Sequence, residues 1–129
     1  MDIYADRIIA LAENPLNLGR LEGADGEGFA GSECGDWVRM WVKLDDSARI
    51  VDARFECHGC ASAVASSSVL TELAKGKRLD EAGAITLGHL ASHLGGGPEH
   101  ESHCSEMSHL ALQRALGDCR QAREGAASQ

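Results

Sequence analysis

Three of the five cysteines in this chain stand where one structural element should give way to the next. Cys34 precedes the first strong strand pattern, Cys60 opens a helical run, and Cys104 opens the last one. In Phe55-Glu56-Cys57-His58-Gly59-Cys60-Ala61-Ser62-Ala63 a period-two pattern stops at Gly59 and a run of small helix-compatible residues begins. A thiol at the mouth of a helix meets unpaired backbone N–H groups and the positive end of the helix dipole, which favour its thiolate. Such a thiolate is a metal ligand or a nucleophile, although a small buried residue closing a strand-to-helix turn leaves the same local pattern. Element junctions gather at the ends of a compact domain. If these three share an end, Asp36, two residues after Cys34, and His103, immediately before Cys104, join them in a shell of up to five sulfur, nitrogen and oxygen ligands. Thiolates select zinc, copper(I) or iron–sulfur clusters, and a lone carboxylate among them is harder and more easily displaced. Such a shell would hold metal without locking it. The long gaps between the cysteines lack the short paired spacings of zinc fingers, so spacing adds little.

The elements that must position these residues fit one domain over residues 1–124, with 125–129 a frayed tail. At 129 residues and 43% hydrophobic, the chain can bury a sizeable core without a metal or a disulfide. A net charge of −8 and 4% aromatic residues exclude a nucleic-acid surface, which needs clustered cations and stacking rings. No stretch has the apolar length of a membrane span, and an N-terminus bearing Asp2 and Asp6 is unlike a secretory signal. A cytoplasmic setting is expected. There an odd number of cysteines points to metal-binding or reactive thiols.

Ile3, Tyr4, Ile8 and Leu11 have helical spacing, and the turn signal Asn14-Pro15-Leu16-Asn17-Leu18-Gly19 ends that helix. Residues 22–35, rich in glycine and acid around Phe29, suit an irregular edge strand ending at Cys34-Gly35-Asp36. Trp37 to Leu44 alternates cleanly, with Val38, Met40, Val42 and Leu44 on one face. After a turn at 45–48, Arg49 to Cys57 alternates again with Val51, Ala53, Phe55 and Cys57 on one face, giving a hairpin. From Ala61 the apolar stripe Ala65, Val69 and Leu73, flanked by Leu70 and Ala74, is helical until Gly76. A helical turn at 79–82 and a short amphipathic helix through Leu87, Leu90, Ala91 and Leu94 follow, broken by Gly95-Gly96-Gly97-Pro98. The last helix spans His103 to Ala122, with Met107, Leu110, Ala111, Ala115 and Leu116 inward. The fold class is α+β: a small antiparallel three-stranded sheet with helices packed on one face.

From Tyr4 to Leu116 the chain resembles the U-type iron–sulfur cluster scaffold family, that is, IscU and the N-terminal domain of NifU. The resemblance is carried by Asn14-Pro15, Asn17 and Gly19, Cys34-Gly35-Asp36, Asp52-Ala53 with Phe55, Gly59-Cys60, Ala65-Ser66-Ser67-Ser68, Gly76-Lys77, Leu94-Gly95-Gly96, Pro98 and His103-Cys104-Ser105. It implies a non-enzymatic scaffold that takes sulfur from a cysteine desulfurase, binds iron, builds a transient [2Fe-2S] cluster and passes it to apo-proteins. It implies that Cys34, Cys60 and Cys104 are cluster ligands and sulfur acceptors; the glycines and Pro98 upstream of Cys104 and the helix start that lowers its pKa make it the expected first acceptor. Asp36 would keep the cluster labile, and His103 would be an alternative or supporting ligand. Zinc is an alternative occupant, a homodimer an alternative assembly, and a zinc-dependent persulfide relay that builds no cluster the alternative function.

The chain also departs from the family. Where the IscU branch carries Leu-Pro-Pro-Val-Lys, this chain has Gly97-Pro98-Glu99-His100-Glu101, which sets a DnaK-type chaperone interaction in doubt. Ala61 replaces a usual glycine and Leu16 a usual arginine. Cys57 and Cys60 spell Cys-x-x-Cys, but the βαβ context of a thioredoxin-like motif is missing, and strand parity puts Cys57 with Phe55 as a core residue, an accessory thiol being the alternative. Cys119 should be a packing or surface thiol far from the site. His89, His93 and His109 are expected on solvated helix faces, His58 in a strand-end turn and His100 in the glycine-rich joint. The serine run 66–68, without an acid and base partner, reads as helix packing.

Overall fold

The computed structural model describes residues 3–33, 35–96 and 103–127; for His103, Cys104 and residues 124–127 it describes the backbone alone. The elements are α1 (Ile3–Glu13), β1 (Gly26–Gly31), β2 (Trp37–Leu44), β3 (Ile50–His58), α2 (Ala61–Ala74), α3 (Leu79–Gly83), α4 (Leu87–His93) and α5 (His103–Ala127). The strands form one antiparallel sheet in the order β1-β2-β3. Val38, Met40 and Val42 of β2 and Ala53 and Phe55 of β3 are fully buried beneath α2 and α5. α1 packs on the outside of α2.

β1 departs most from expectation, and the cause is α5. The strand ends at Gly31, and its buried positions are Gly26, Gly28 and Ala30, while Phe29 turns outward and is 42% exposed. A Cβ at Gly28 would lie 2.2 Å from the Ala111 carbonyl oxygen and 2.3 Å from the Ala115 amide nitrogen. The helix backbone rests directly on the strand, a spacing only glycine permits. Phe29 instead stacks on Trp37 across the outer face, with ring centroids 6.1 Å apart.

Both sheet edges are covered, as an isolated sheet requires. On the β1 side, the Glu27 amide donates to Asp118 at 2.9 Å and the Arg114 guanidinium donates to the Phe29 carbonyl at 2.7 Å. On the β3 side, the Gly19 amide donates to the Phe55 carbonyl at 2.8 Å and the Phe55 amide to the Asn17 carbonyl at 3.0 Å. Asn17 takes a left-handed φ of +62°, and its side-chain amide donates to Thr71 and Glu72 of α2 while its oxygen accepts from Lys75. The Asn-Pro-x-Asn loop thereby ties α1 to both sheet and helix.

Further corrections arise from contacts between elements. A register slip between Lys43 and Leu44 pairs Leu44 with Ile50 and Lys43 with Asp52. Val51 is therefore thrown out to 52% exposure and Ile50 turned in, against simple alternation. α2 is packed by β3, α5 and α1, so burial extends beyond the anticipated stripe to Ala63, Ser66, Ser67, Ser68 and Thr71, and Val69 and Leu73 are only half-buried. In α5, Leu112 and Cys119 are buried while Leu110 is 43% exposed, and the helix continues past the expected Ala122 to Ala127. In α1 only Ile8 is fully buried; Ile3 is exposed and lies over Gly95.

Candidate functional site

Cys60 is the N-cap of α2, with extended backbone (φ −78°, ψ 172°), and is exposed. Its carbonyl accepts from Ala63 at 3.0 Å and Val64 at 3.3 Å, so the helix begins immediately after it. The small residues that follow let α2 start against its neighbours. A Cβ on the preceding Gly59 would meet the Ala63 Cβ at 3.3 Å and the Asp36 carboxyl carbon at 3.6 Å. Asp36 thus lies against the strand-to-helix junction that carries Cys60. A tight turn holds it: the Ser32 amide donates to the Asp36 carbonyl at 2.8 Å, and the Gly35 amide donates to the Ser32 carbonyl at 3.1 Å, with Gly35 at φ +91°. Cys34 belongs to this segment of the sequence and lies outside the described residues.

The start of α5 reaches the same end. α5 runs antiparallel to β1: Gly26 faces Ala115 and Cys119, Gly28 faces Ala111, and Ala30 and Gly31 border a small cleft with Glu106, Met107 and Leu110. Ser108 shares a 2.9 Å hydrogen bond with Ser67, and its hydroxyl points at the Ala63 carbonyl 3.5 Å away, fastening the first turns of α5 to the first turns of α2. His103 and Cys104 are the first two residues of α5. At about 1.5 Å per residue, Cys104 lies roughly one turn beyond this serine pair along the axis. Their side chains lie outside the described residues, as does the segment 97–102 with His100. Among the described residues no three histidine, cysteine or acidic side chains converge as a metal site.

A further group shares this end. Cys57, opposite Val38 in the sheet, is half-buried. Burial pushes its thiol pKa up, and negative charge on Cys60 and Asp36 pushes it further. Cys57 is therefore both packed against the core and within electrostatic reach of the two candidate site groups. The Cys-x-x-Cys spacing is the sequence signal for it. Cys119 is fully buried beside Gly26 at the opposite end of β1, its pKa pushed up to about 12, chiefly by burial and then by Asp25 and Asp118. His58, His89 and His93 are exposed, the last two with ring nitrogens engaged by nearby backbone. His109, expected on a solvated face, is half-buried with its Nε2 2.7 Å from the Ile85 carbonyl, and braces α5 against the α3–α4 connection.

A three-stranded antiparallel sheet covered on one face by helices, with a thiol at the start of α2 and a carboxylate beside it, defines an α+β domain of the NifU-like type. Residues 3–126 match the NifU-like N-terminal domain, and the chain belongs to that family. It is 44% identical over 117 residues to the iron–sulfur cluster assembly scaffold protein IscU 1 of Archaeoglobus fulgidus, spanning 90% of this chain and 76% of that protein. To the scaffold protein IscU of Haemophilus influenzae it is 42% identical over 119 residues, spanning 89% and 94%. The solved N-terminal part of a nitrogen-fixing NifU-like protein from Brucella abortus has the same fold, with a TM-score of 0.64 at 27% identity and 96% of both chains covered.

Proposed function

We propose that this chain is a carrier on which a labile [2Fe-2S] cluster is assembled from iron and desulfurase-derived sulfur, and from which the cluster passes to apo-proteins. The observation that carries the reading is the junction where Cys60, exposed at a helix start, meets Asp36 across Gly59, in a chain 44% identical to a protein named as such a scaffold. Cys34, Cys60 and Cys104 are the proposed ligands and sulfur acceptors, with Cys104 taking sulfur first. Asp36 is the displaceable ligand and His103 a supporting one. The cluster is cargo. Three thiolates suit its iron, while a carboxylate binds this softer centre least tightly and gives an acceptor's thiol a place to enter. Exposure of Cys60 suits exchange with partners, a cysteine desulfurase on one side and apo-acceptors on the other. Glu99 and Glu101 oppose the aliphatic, basic-flanked peptide that a DnaK-type groove favours, so hand-over is direct and proceeds in the cytoplasm without chaperone and ATP.

The test is a visible spectrum after anaerobic incubation of the metal-free chain with ferrous iron, cysteine and a desulfurase. The expected result is the red-brown absorption of a [2Fe-2S] cluster, lost in Cys60→Ser. A solution that stays colourless while the cysteines gain sulfur in a zinc-loaded protein would favour a persulfide relay instead.

A further inference from the structure

The proposed cluster shell leaves Cys57 without a role, yet its position is distinctive. It is the penultimate residue of β3, opposite Val38, and by strand alternation shares the inward face with Ala53 and Phe55. Cys57 packs against the core beneath that face, and α2, whose N-cap is Cys60, packs on β3. Between the two cysteines the chain bends at Gly59, where the absence of a side chain leaves room for Asp36 and Ala63. One thiol is thus half-buried and the other exposed, three residues apart, on the two sides of a bend. Burial and the charges of Cys60 and Asp36 raise the Cys57 pKa, which agrees with that proximity and keeps the thiol protonated at rest, so that its minor thiolate form is the one that attacks.

We propose that Cys57 is a resolving thiol, which attacks the Sγ of a persulfide carried by Cys60, forms a Cys57–Cys60 disulfide and releases the outer sulfur as hydrosulfide. The proposal rests on reading this end of the domain as sulfur-accepting. The S–S bond of the persulfide breaks as the new S–S bond forms. The outer, zero-valent sulfur gains two electrons, the two cysteine sulfurs together lose two, and the Cys57 proton leaves with the product. One persulfide on Cys60 and one thiol on Cys57 thus become one disulfide and one molecule of hydrogen sulfide. A desulfurase delivers zero-valent sulfur, whereas a cluster contains sulfide, so the pair closes this two-electron gap. A thiol reductant then resets the disulfide. Hydrosulfide is a good leaving group because its conjugate acid is more acidic than an ordinary thiol, which directs attack to the Cys60 sulfur. Half-burial of Cys57 shields it from outside oxidants, while exposed Cys60 receives the sulfur.

The experiment uses the full chain, reduced and metal-free under anaerobic conditions, with sulfur loaded chemically by inorganic polysulfide so that no desulfurase is required. Excess reagent is removed, and released sulfide and the peptide containing Cys57 and Cys60 are followed with time. The wild type should release sulfide while that peptide becomes two hydrogens lighter. Cys57→Ser should retain the added sulfur on Cys60 and release sulfide at least about tenfold more slowly, because it loses an intramolecular reaction partner. Cys119→Ser should behave as the wild type. Equal release from wild type and Cys57→Ser, an added sulfur that persists on wild-type Cys60 without a disulfide, or no sulfur acquired by Cys60 would each overturn the proposal. Cluster formation from iron and inorganic sulfide, measured separately, reports on the scaffold reading. Cys57→Ser should retain it, and a wild type that fails in this arm yet forms the disulfide would contradict the scaffold and not the resolving thiol.

Discussion

Replacing Gly28 by alanine adds one methyl group where the structure has least room. The new Cβ would stand 2.2 Å from the Ala111 carbonyl oxygen, 2.3 Å from the Ala115 amide and 2.9 Å from the Arg114 carbonyl carbon. All three are backbone atoms in the middle of α5, so no side chain can rotate away. The helix must withdraw by about 1 Å to restore ordinary contact, loosening the packing of Ala111 and Ala115, which are fully buried. Overpacking of this kind costs about 1–3 kcal/mol, and a rigid helix backbone as the obstacle puts this case at the upper end. The alanine returns part of this, roughly 0.5–1 kcal/mol, through a less flexible unfolded chain. The net loss of about 2 kcal/mol corresponds to a fall in Tm on the order of 8 °C for a domain of this size. Gly117, in the same helix, has nothing within 4 Å of a Cβ. Gly117→Ala should therefore gain about 1 kcal/mol from helix propensity and raise the Tm. Calorimetry of the two variants tests the account of β1, because one chemical change is expected to have opposite signs at two sites. A Gly28→Ala protein melting within about 2 °C of the wild type would refute the reasoning, as would a Gly117→Ala protein that melts lower.

Ser67→Ala should cost about 0.5–1.5 kcal/mol in urea unfolding, the net worth of its 2.9 Å hydrogen bond to Ser108, whose hydroxyl keeps the Ala63 carbonyl 3.5 Å away, and adding Ser108→Ala should cost less than a second single change; strict additivity would show that the pair is uncoupled. The Cys119 thiol, with its folded pKa of about 12 above the ordinary value of 9.0, contributes stability that is complete below pH 9 and is lost as pH rises toward 12. Wild-type stability should thus fall more steeply than that of Cys119→Ala across this window; parallel urea midpoints would contradict the buried placement. Asp36→Ala should lengthen the lifetime of an assembled cluster while leaving its assembly intact, as read from the decay of visible absorption, and a shorter lifetime would count against the displaceable-ligand role.

The parts of the fold that sequence made legible are those governed by local periodicity. β2 begins and ends where alternation says it should, at Trp37 and Leu44, and α2 begins directly after Cys60, where small residues replace the alternating pattern. What escaped depends on contacts between distant segments. Glycines at 26 and 28 read as irregularity because the helix that requires them lies far along the chain, at Ala111 to Cys119. Val51 faces outward because of a slip in pairing with β2, which a single strand's alternation cannot reveal. Ser66 to Ser68 are buried because α2 has neighbours on several sides, and the hydroxyl of Ser67 is satisfied by a serine of α5. Among the candidate site residues, the structure sets Asp36 against the Gly59 that precedes Cys60, a juxtaposition that residue type and element junctions alone do not reveal. The position of Cys57 beside them needed the bend at Gly59.

The central claim, that the chain builds a cluster in order to give it away, is tested most directly by cluster transfer. The chain, loaded anaerobically and separated from free iron and sulfide, is mixed with an apo-ferredoxin of the [2Fe-2S] type, and circular dichroism in the visible range follows the change from the carrier's spectrum to the acceptor's. Complete transfer to the acceptor is expected without chaperone or ATP, at a rate that rises with acceptor concentration and is markedly slowed by Asp36→Ala. Failure of the acceptor to gain a cluster while the chain retains its own, or transfer that depends wholly on a chaperone and ATP, would contradict the claim.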